Sequence, residues 1–128
     1  MTRRSFQTED GWHVATGWDR MLQYFFLDIS RDCQNCGGAG EMEYDSVRAK
    51  LCQTCHGMGC EYLYDNLSDS SLAPGRGMTL PQVEAKLGEL IDNWPKSLIA
   101  LLTSDRANDR GNDVKSYGVQ GRVKSAAN

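Results

Sequence analysis

CQNCGGAG, at residues 33–40, returns at residues 52–59 as CQTCHGMG. Both stretches follow the pattern Cys-x-x-Cys-x-Gly-x-Gly, and fifteen residues separate the two Cys-x-x-Cys pairs. Two such pairs at this spacing are typical of a zinc site, in which four thiolates surround one Zn²⁺ ion as a tetrahedron. We therefore predict one zinc ion per chain, held by the four cysteines of the repeats: Cys33, Cys36, Cys52 and Cys55.

The glycines of each repeat support this interpretation. They follow the second cysteine, where the backbone has to fold back so that its N–H groups point at the sulfur atoms. Glycine reaches positive φ there without the steric penalty of a Cβ atom. Four thiolates around Zn²⁺ leave a local charge of about −2, which such N–H donors spread.

Other states of these cysteines fit the sequence less well. Disulfides are disfavoured by the odd total of five cysteines and by an N-terminus that lacks the apolar region of a secretory signal. A redox-active pair is expected in a strand–helix–strand context that neither repeat shows. Unliganded cysteines at chance spacing would not explain why the glycines repeat with them. His56 is an alternative ligand only if the four-cysteine set is incomplete, and Cys60 is expected to be a buried or idle thiol.

The repeated pattern resembles the cysteine-rich module of the DnaJ class of heat-shock chaperones, which carries the same repeat. Those chaperones have four repeats and two zinc ions, so the two repeats of this chain imply one ion. The pattern is also similar to the single-zinc version in the anti-TRAP regulators, which bind another protein. The resemblance covers residues 33–59 only, and the sequence has no His-Pro-Asp tripeptide, so it does not extend to a J-domain. It implies a zinc-stabilised hairpin pair used for contact with protein and occasionally with nucleic acid.

Strand patterns flank the module on both sides. Residues 21–30 are rich in aromatic and β-branched side chains and lead into the first repeat, and residues 61–64 leave the second repeat. Residues 5–16 predict a hairpin, followed by a second turn at residues 17–20. Residues 41–51, between the repeats, predict a short hairpin of their own. We expect a small antiparallel sheet with the four-cysteine zinc-hairpin module inserted between its strands.

The tyrosines of the strand after the module have a regular spacing. Tyr62 and Tyr64 alternate with Glu61 and Leu63, and side chains two residues apart in a strand share a face. We therefore expect both tyrosines on one face, chiefly for packing within the sheet and secondarily for contact with a partner.

Two helices are predicted after the sheet. Thr79 and Gln82 form a capping-box pattern, and the apolar residues that follow recur at helical spacing. Asn93-Trp94-Pro95 ends this helix and starts a second one, which has leucines on one face. Beyond it the helical period disappears and glycine, asparagine, serine and charge dominate, so residues 106–128 predict a flexible basic tail.

The expected organisation is a single α+β domain over residues 1–105, with the module at residues 33–59 inserted and the tail at residues 106–128. Residues 32–66 carry two basic and six acidic side chains, whereas the tail carries five basic and two acidic ones. A general nucleic-acid-binding protein would have a basic face on its folded body instead. No apolar run approaches the roughly 18 residues that span a bilayer, so we expect no membrane contact and a cytoplasmic location.

The sequence contains no recognisable catalytic constellation. We expect a non-enzymatic zinc-binding adaptor or regulator that acts by binding another protein, as do inhibitors encoded by phages or mobile elements. One alternative is a nucleic-acid-binding zinc-finger regulator that uses the cations of the tail: Arg106, Arg110, Lys115, Arg122 and Lys124. The other is a thiol oxidoreductase that uses the two Cys-x-x-Cys pairs, which zinc would block by saturating all four thiolates.

Overall fold

The computed structural model describes residues 1–34, 36–37, 41–43, 49–51, 58–72 and 77–124. Its strands and α-helices, in chain order, are β1 Thr2–Gln7, β2 His13–Asp19, β3 Tyr24–Asp32, β4 Glu41–Glu43, β5 Ala49–Leu51, β6 Cys60–Asp65, α1 Leu80–Leu90, β7 Ile91–Asp92, α2 Ser97–Ala107, β8 Asp113–Val119 and β9 Arg122–Val123. A short 3-10 helix, Asn66–Ser68, follows β6. The α+β class and the two predicted helices are confirmed.

A five-stranded sheet in the order β6-β3-β2-β1-β8 forms the body of the domain. Its neighbouring strands are antiparallel except β1 and β8, which run parallel, with Thr2 opposite Asp113 and Ser5 opposite Ser116. The sheet is therefore mixed, and the prediction of an antiparallel sheet was wrong. Parallel neighbours require a long crossover connection, and here the connection includes the rest of the sheet and both helices.

The segment that we expected to be a flexible tail contains two strands. β8 extends the main sheet, while β9 pairs with β7, with Ile91 opposite Val123. The N–H of Lys124 also donates to the carbonyl of Leu90 at 2.8 Å. The prediction of a flexible tail was wrong because it relied on the absence of a regular spacing of apolar residues. Six of the seven side chains of β8 are exposed, so this edge strand needs no alternation of apolar and polar residues.

The turn predicted at residues 17–20 is also displaced. β2 continues through Asp19, and the chain reverses over the next four residues, where Gln23 has a positive φ of 58°. Gly17 lies inside β2 because a Cβ atom there would clash with the carbonyl oxygen of Thr2 in β1. Glycine at this position permits a close approach of two strands rather than a turn.

Both helices pack against one face of the main sheet. α1 begins with the predicted capping box: Thr79 accepts from the N–H of Gln82, whose side chain accepts from the N–H of Thr79. The core contains apolar side chains from the sheet and from both helices: Phe6, Val14, Trp18, Phe25, Leu27, Ile29, Val83, Leu87, Leu98 and Leu102. Neither of the two helices, in the part of the chain that the structure describes, has the length and apolar character needed to cross a membrane.

A buried ion pair ties the sheet to α2. Arg4 donates to the carboxylate of Asp105 from Nε at 2.9 Å and from Nη2 at 2.7 Å, and the two side chains are 1% and 0% exposed. The hydroxyl of Thr2 donates to the same carboxylate at 3.1 Å. Arg4 also donates to Asp113 of β8 at 2.9 Å. One guanidinium therefore links β1, α2 and the edge strand.

Candidate metal centre

The main sheet holds the two ends of the cysteine module together. β3 and β6 pair as far as Asp32 opposite Cys60. One step further, the N–H of Cys33 donates to the carbonyl of Gly59 at 3.0 Å. Cys33 is the first residue of the first repeat and Gly59 is the last residue of the second. The first repeat therefore begins beside the end of the second.

Side chains reinforce this end of the module. Arg31 of β3 donates to Glu61 of β6 at 3.0 Å, and its guanidinium carbon lies 4.4 Å from the ring centroid of Trp12. The ion pair joins the two strands at the pair of residues adjacent to Asp32 and Cys60. The module thus leaves the sheet from a pair of strands that are joined by both backbone and side-chain contacts.

A second pair of strands holds the opposite ends of the repeats. β4 and β5 are antiparallel, with Glu41 opposite Leu51 and Glu43 opposite Ala49. Glu41 follows the first repeat directly, and Leu51 precedes the second repeat directly. The strand pair that the sequence predicts between the repeats is confirmed. The two eight-residue repeats therefore connect the same two strand pairs in opposite directions.

The described cysteines of the first repeat lie in different environments. Cys33 is fully buried at the end of β3, and Cys36 is half-buried three residues later. Gly37 follows with φ of 65°, as the predicted reversal after the second cysteine requires, and Gly59 has φ of 78° at the end of the second repeat. Sulfur ligands three residues apart, followed by such a reversal, suit Zn²⁺.

The second half of the predicted ligand set, Cys52 and Cys55, lies outside the described residues, as does the alternative ligand His56. Among the residues that the structure does describe, no group of three or more His, Cys, Asp and Glu side chains is placed to hold a metal ion. The four-cysteine zinc site therefore stays a prediction, and the described residues provide its two ends and two of its four sulfur atoms.

Cys60 and Cys33, the first predicted ligand, lie on opposite faces of the sheet. Cys60 lies in β6 opposite Asp32, so strand alternation directs its side chain to the sheet face opposite to that of Cys33. Its neighbour on that face is Tyr62. The pKa of Tyr62 is raised, first by the negative charge of the Cys60 thiolate and then by a hydrogen bond between the two side chains. Cys60 is half-buried rather than fully buried.

A β-bulge in β6 changes the surface beside the module. Ile29 pairs with Tyr64 and Ser30 pairs with Tyr62, so Leu63 is an extra residue on β6. The two tyrosines therefore lie on opposite faces, and the prediction that they share one face was wrong. Tyr64 packs against the core, whereas Tyr62 is 48% exposed. The sequence offers no local signal for the bulge.

An exposed apolar side chain within the second repeat was missed by sequence reasoning. Met58 is 62% exposed and lines a surface groove together with Tyr62 and the outer edge of β6. The groove also contains the carboxylates of Asp65 and Asp69. The pKa of Asp69 is lowered to about 2 by hydrogen bonds from Ser71 and Tyr64, so this carboxylate is ionised at neutral pH.

The cations proposed for nucleic-acid binding are dispersed. Arg110 lies 3.5 Å from a carboxylate oxygen of Asp105, Arg122 lies 3.8 Å from one of Glu9, and Lys124 lies 3.8 Å from one of Asp92. The ammonium of Lys115 lies 5.0 Å from the ring centroid of Tyr117 on the same strand, and Arg106 belongs to the last turn of α2. Three of the five are thus close to carboxylates of the same chain.

Purified protein is expected to contain one zinc ion per chain, because four thiolates close one tetrahedron. Cobalt substitution should give the absorption spectrum of a four-sulfur site. Cys60→Ser serves as the matched control and should change neither the stoichiometry nor the spectrum. Two ions per chain, or a spectrum of fewer sulfur ligands, would contradict the assignment and point to His56 or Cys60 as a ligand.

Comparisons of the chain with protein-family models, with curated proteins and with solved structures find no match.

Proposed function

We propose that this chain is a non-enzymatic, zinc-binding adaptor or regulator that binds another protein through its cysteine module. The placement of the repeats carries the proposal. Both repeats run between the β3–β6 pair and the β4–β5 pair, and the β3–β6 pair belongs to the main sheet. The module is therefore an insertion between two paired strands of the main sheet, to which its two ends are anchored.

Zinc has a structural role in this proposal. Cys33, Cys36, Cys52 and Cys55 would hold the ion, and a closed set of four thiolates leaves no coordination position for a substrate. The ion would order a segment that carries few apolar residues of its own. The protein itself anchors the ends of the module. The Cys33–Gly59 hydrogen bond and the Arg31–Glu61 ion pair hold these ends at the edge of the sheet. A reducing compartment such as the cytoplasm suits this function because the ligand thiols must stay reduced.

The surface where the module joins β6 suits a protein partner. Met58 and Tyr62 are exposed beside each other along one groove, and methionine and tyrosine are enriched in the buried centres of protein interfaces. Residues 32–66 have six acidic and two basic side chains, which favours a partner with a basic surface and disfavours the phosphate backbone of a nucleic acid. The pairing of Arg110, Arg122 and Lys124 with carboxylates further weakens the nucleic-acid alternative.

Affinity capture from the native host, with the zinc-loaded chain as bait, tests the proposal. We expect one protein to be enriched by the wild type and by Cys60→Ser. Its enrichment should be lost with Cys36→Ser, which removes a ligand, and with Met58→Glu, which keeps the ligands and alters the exposed surface. Nuclease treatment should leave the enrichment unchanged.

Equal capture by Cys36→Ser and by the wild type would show that partner binding does not need the module. Loss of the captured protein after nuclease treatment would favour the nucleic-acid alternative. Disulfide reductase activity of the zinc-loaded protein would replace the adaptor with the thiol oxidoreductase.

A further inference from the structure

A pocket of about 360 Å³ lies at the end of the main sheet that is opposite to the cysteine module. It is bounded by the end of β2, the start of β3, the residues that lead into α1 and the last turn of α2. β3 is nine residues long, and the first repeat begins only after its other end. The pocket is therefore separate from the predicted metal site.

The floor of the pocket is apolar. Trp18 and Phe25 are buried side chains whose ring centroids lie 5.0 Å apart at an interplanar angle of 59°, and Met78 is buried beside them. Phe25 and Met78 exchange two backbone hydrogen bonds, of 3.0 and 2.9 Å. Their backbone N–H and C=O groups are thus satisfied, and the floor offers a ligand apolar contact only.

A positively charged side chain, that of Arg106, lines the wall of this pocket. Arg106 is exposed, and it has neither an ion pair nor a side-chain hydrogen bond among the described residues. In contrast, most described arginines lie within 4.0 Å of a carboxylate oxygen: Arg4, Arg20, Arg31, Arg110 and Arg122. Thr79 also lines the pocket, and its Oγ1 accepts from the N–H of Gln82, which leaves its own O–H to donate.

The other charges nearby limit the charge of a ligand. Asp109 accepts from Nε1 of Trp18 at 3.0 Å and from the side chain of Gln23 at 2.9 Å, and its second oxygen lies 3.5 Å from Arg20. This carboxylate is therefore neutralised by Arg20, and among the described residues that line the pocket Arg106 is left as the one uncompensated positive charge. A single guanidinium neutralises one carboxylate, and its planar fork of N–H donors can bind both oxygens of that carboxylate.

We propose that this pocket binds a small carboxylate attached to an aromatic or branched aliphatic group. The apolar group would lie on Trp18, Phe25 and Met78, and the carboxylate would meet the guanidinium of Arg106. The volume is near the lower end of the range of about 300–1,000 Å³ for ligand pockets, so one ring with a short acid chain fills it. The inference is independent of the proposed function of the cysteine module.

Two sources provide this chemistry: a free organic acid and the C-terminal residue of a polypeptide. The turn between β2 and β3 leaves Leu22 exposed, and this side chain lines the pocket at its rim. A polypeptide would add contacts to this rim with the residue that precedes its C-terminus, whereas a free acid would not. The affinity of a short peptide, compared with that of a free acid, therefore distinguishes the two sources.

Titration of the ¹⁵N-labelled full chain, followed by amide and indole chemical shifts, tests the proposal. With 3-phenylpropionate we expect the indole N–H of Trp18 and the amides of Met78 and Thr79 to shift. The neutral analogue 3-phenylpropanamide should bind at least about tenfold more weakly, as loss of a charged hydrogen bond predicts. Arg106→Gln should lower the affinity for 3-phenylpropionate by a similar factor. Arg106→Lys should retain part of the wild-type affinity. Arg122→Gln, at an exposed arginine of β9, is the matched control and should leave binding unchanged.

The dipeptide Ala-Phe, with a free or an amidated C-terminus, distinguishes the two sources. Tighter binding of the free dipeptide than of 3-phenylpropionate would support a polypeptide C-terminus, and weaker binding would support a free acid. The proposal is overturned if acid and amide bind equally, if Arg106→Gln binds like the wild type, or if no shifts occur at the pocket up to about 10 mM ligand. Because Arg106 is exposed, its variants are expected to keep the wild-type amide spectrum elsewhere.

Discussion

Cys36→Ser should unfold the cysteine module while the rest of the domain stays folded. In a structural site the metal-binding free energy is folding free energy, and it amounts to about 10–16 kcal/mol in zinc-finger peptides. Three thiolates cannot close the tetrahedron, so most of this stabilisation should be lost for residues 33–59. The buried core cluster of the described residues lies in other elements, from Phe6 in β1 to Leu102 in α2, so we expect it to persist without the module.

Amide hydrogen exchange shows directly which residues unfold and which stay folded. Protection should disappear at residues 33–59 and weaken at the adjoining ends of β3 and β6, while α1, α2 and the centre of the sheet keep theirs. Far-UV circular dichroism should retain most of the helical signal. Chelator treatment of the wild type should reproduce the result, and Cys60→Ser should not. Full protection of the module without metal would show that zinc is not what orders it.

Asp105→Ala should lower the free energy of unfolding by about 3–5 kcal/mol. Removal of one partner from a buried ion pair leaves an uncompensated charge in the interior. Here the charge is the guanidinium of Arg4, which is 1% exposed and would keep Asp113 as its one acidic partner among the described residues. Urea-induced unfolding of the wild type and the variant gives the difference.

Two further variants separate the effect of the buried charge from the loss of a contact. Asp113→Ala removes the half-exposed partner of the same guanidinium and should cost no more than about 1 kcal/mol. In the double variant Arg4→Met, Asp105→Leu both buried charges are removed and the charges that lose a partner, Asp113 and Arg110, are half-exposed, so most of the stability should return. A cost for Asp105→Ala no larger than that for Asp113→Ala would mean that solvent reaches Arg4 and that the pair is not effectively buried.

The features that the sequence predicts correctly are those with local causes. The capping box of Thr79 and Gln82 involves residues three apart, and the first hairpin joins strands that are neighbours in sequence. The strands that enter and leave the cysteine module are predicted from the residue types that each of them contains. Each of these features is specified within about a dozen residues, where propensity and periodicity act.

The features that sequence reasoning missed depend on distant partners. β8 becomes a strand because β1 offers it a free edge, and Arg4 is buried because Asp105, 101 residues away, meets it. The bulge at Leu63 follows from how β6 fits against β3, which no pattern within β6 reveals. For the candidate site, cysteine spacing predicts the ligand set, but the Cys33–Gly59 hydrogen bond and the β4–β5 pairing are needed to show how the ends of the repeats are aligned.

The linkage of β1 to α2 and β8 by Arg4 has a consequence for the order of assembly. β1, β2 and β3 form a meander of sequential strands, whose contacts close short loops and so form early. Pairing of β1 with β8 closes a loop of more than a hundred residues and must come later. Until then the meander presents a guanidinium amid the apolar side chains that α1 and α2 will cover. This charge opposes the association of partly assembled chains through that surface, and the docking of Asp105 removes it from water at the step that completes the sheet.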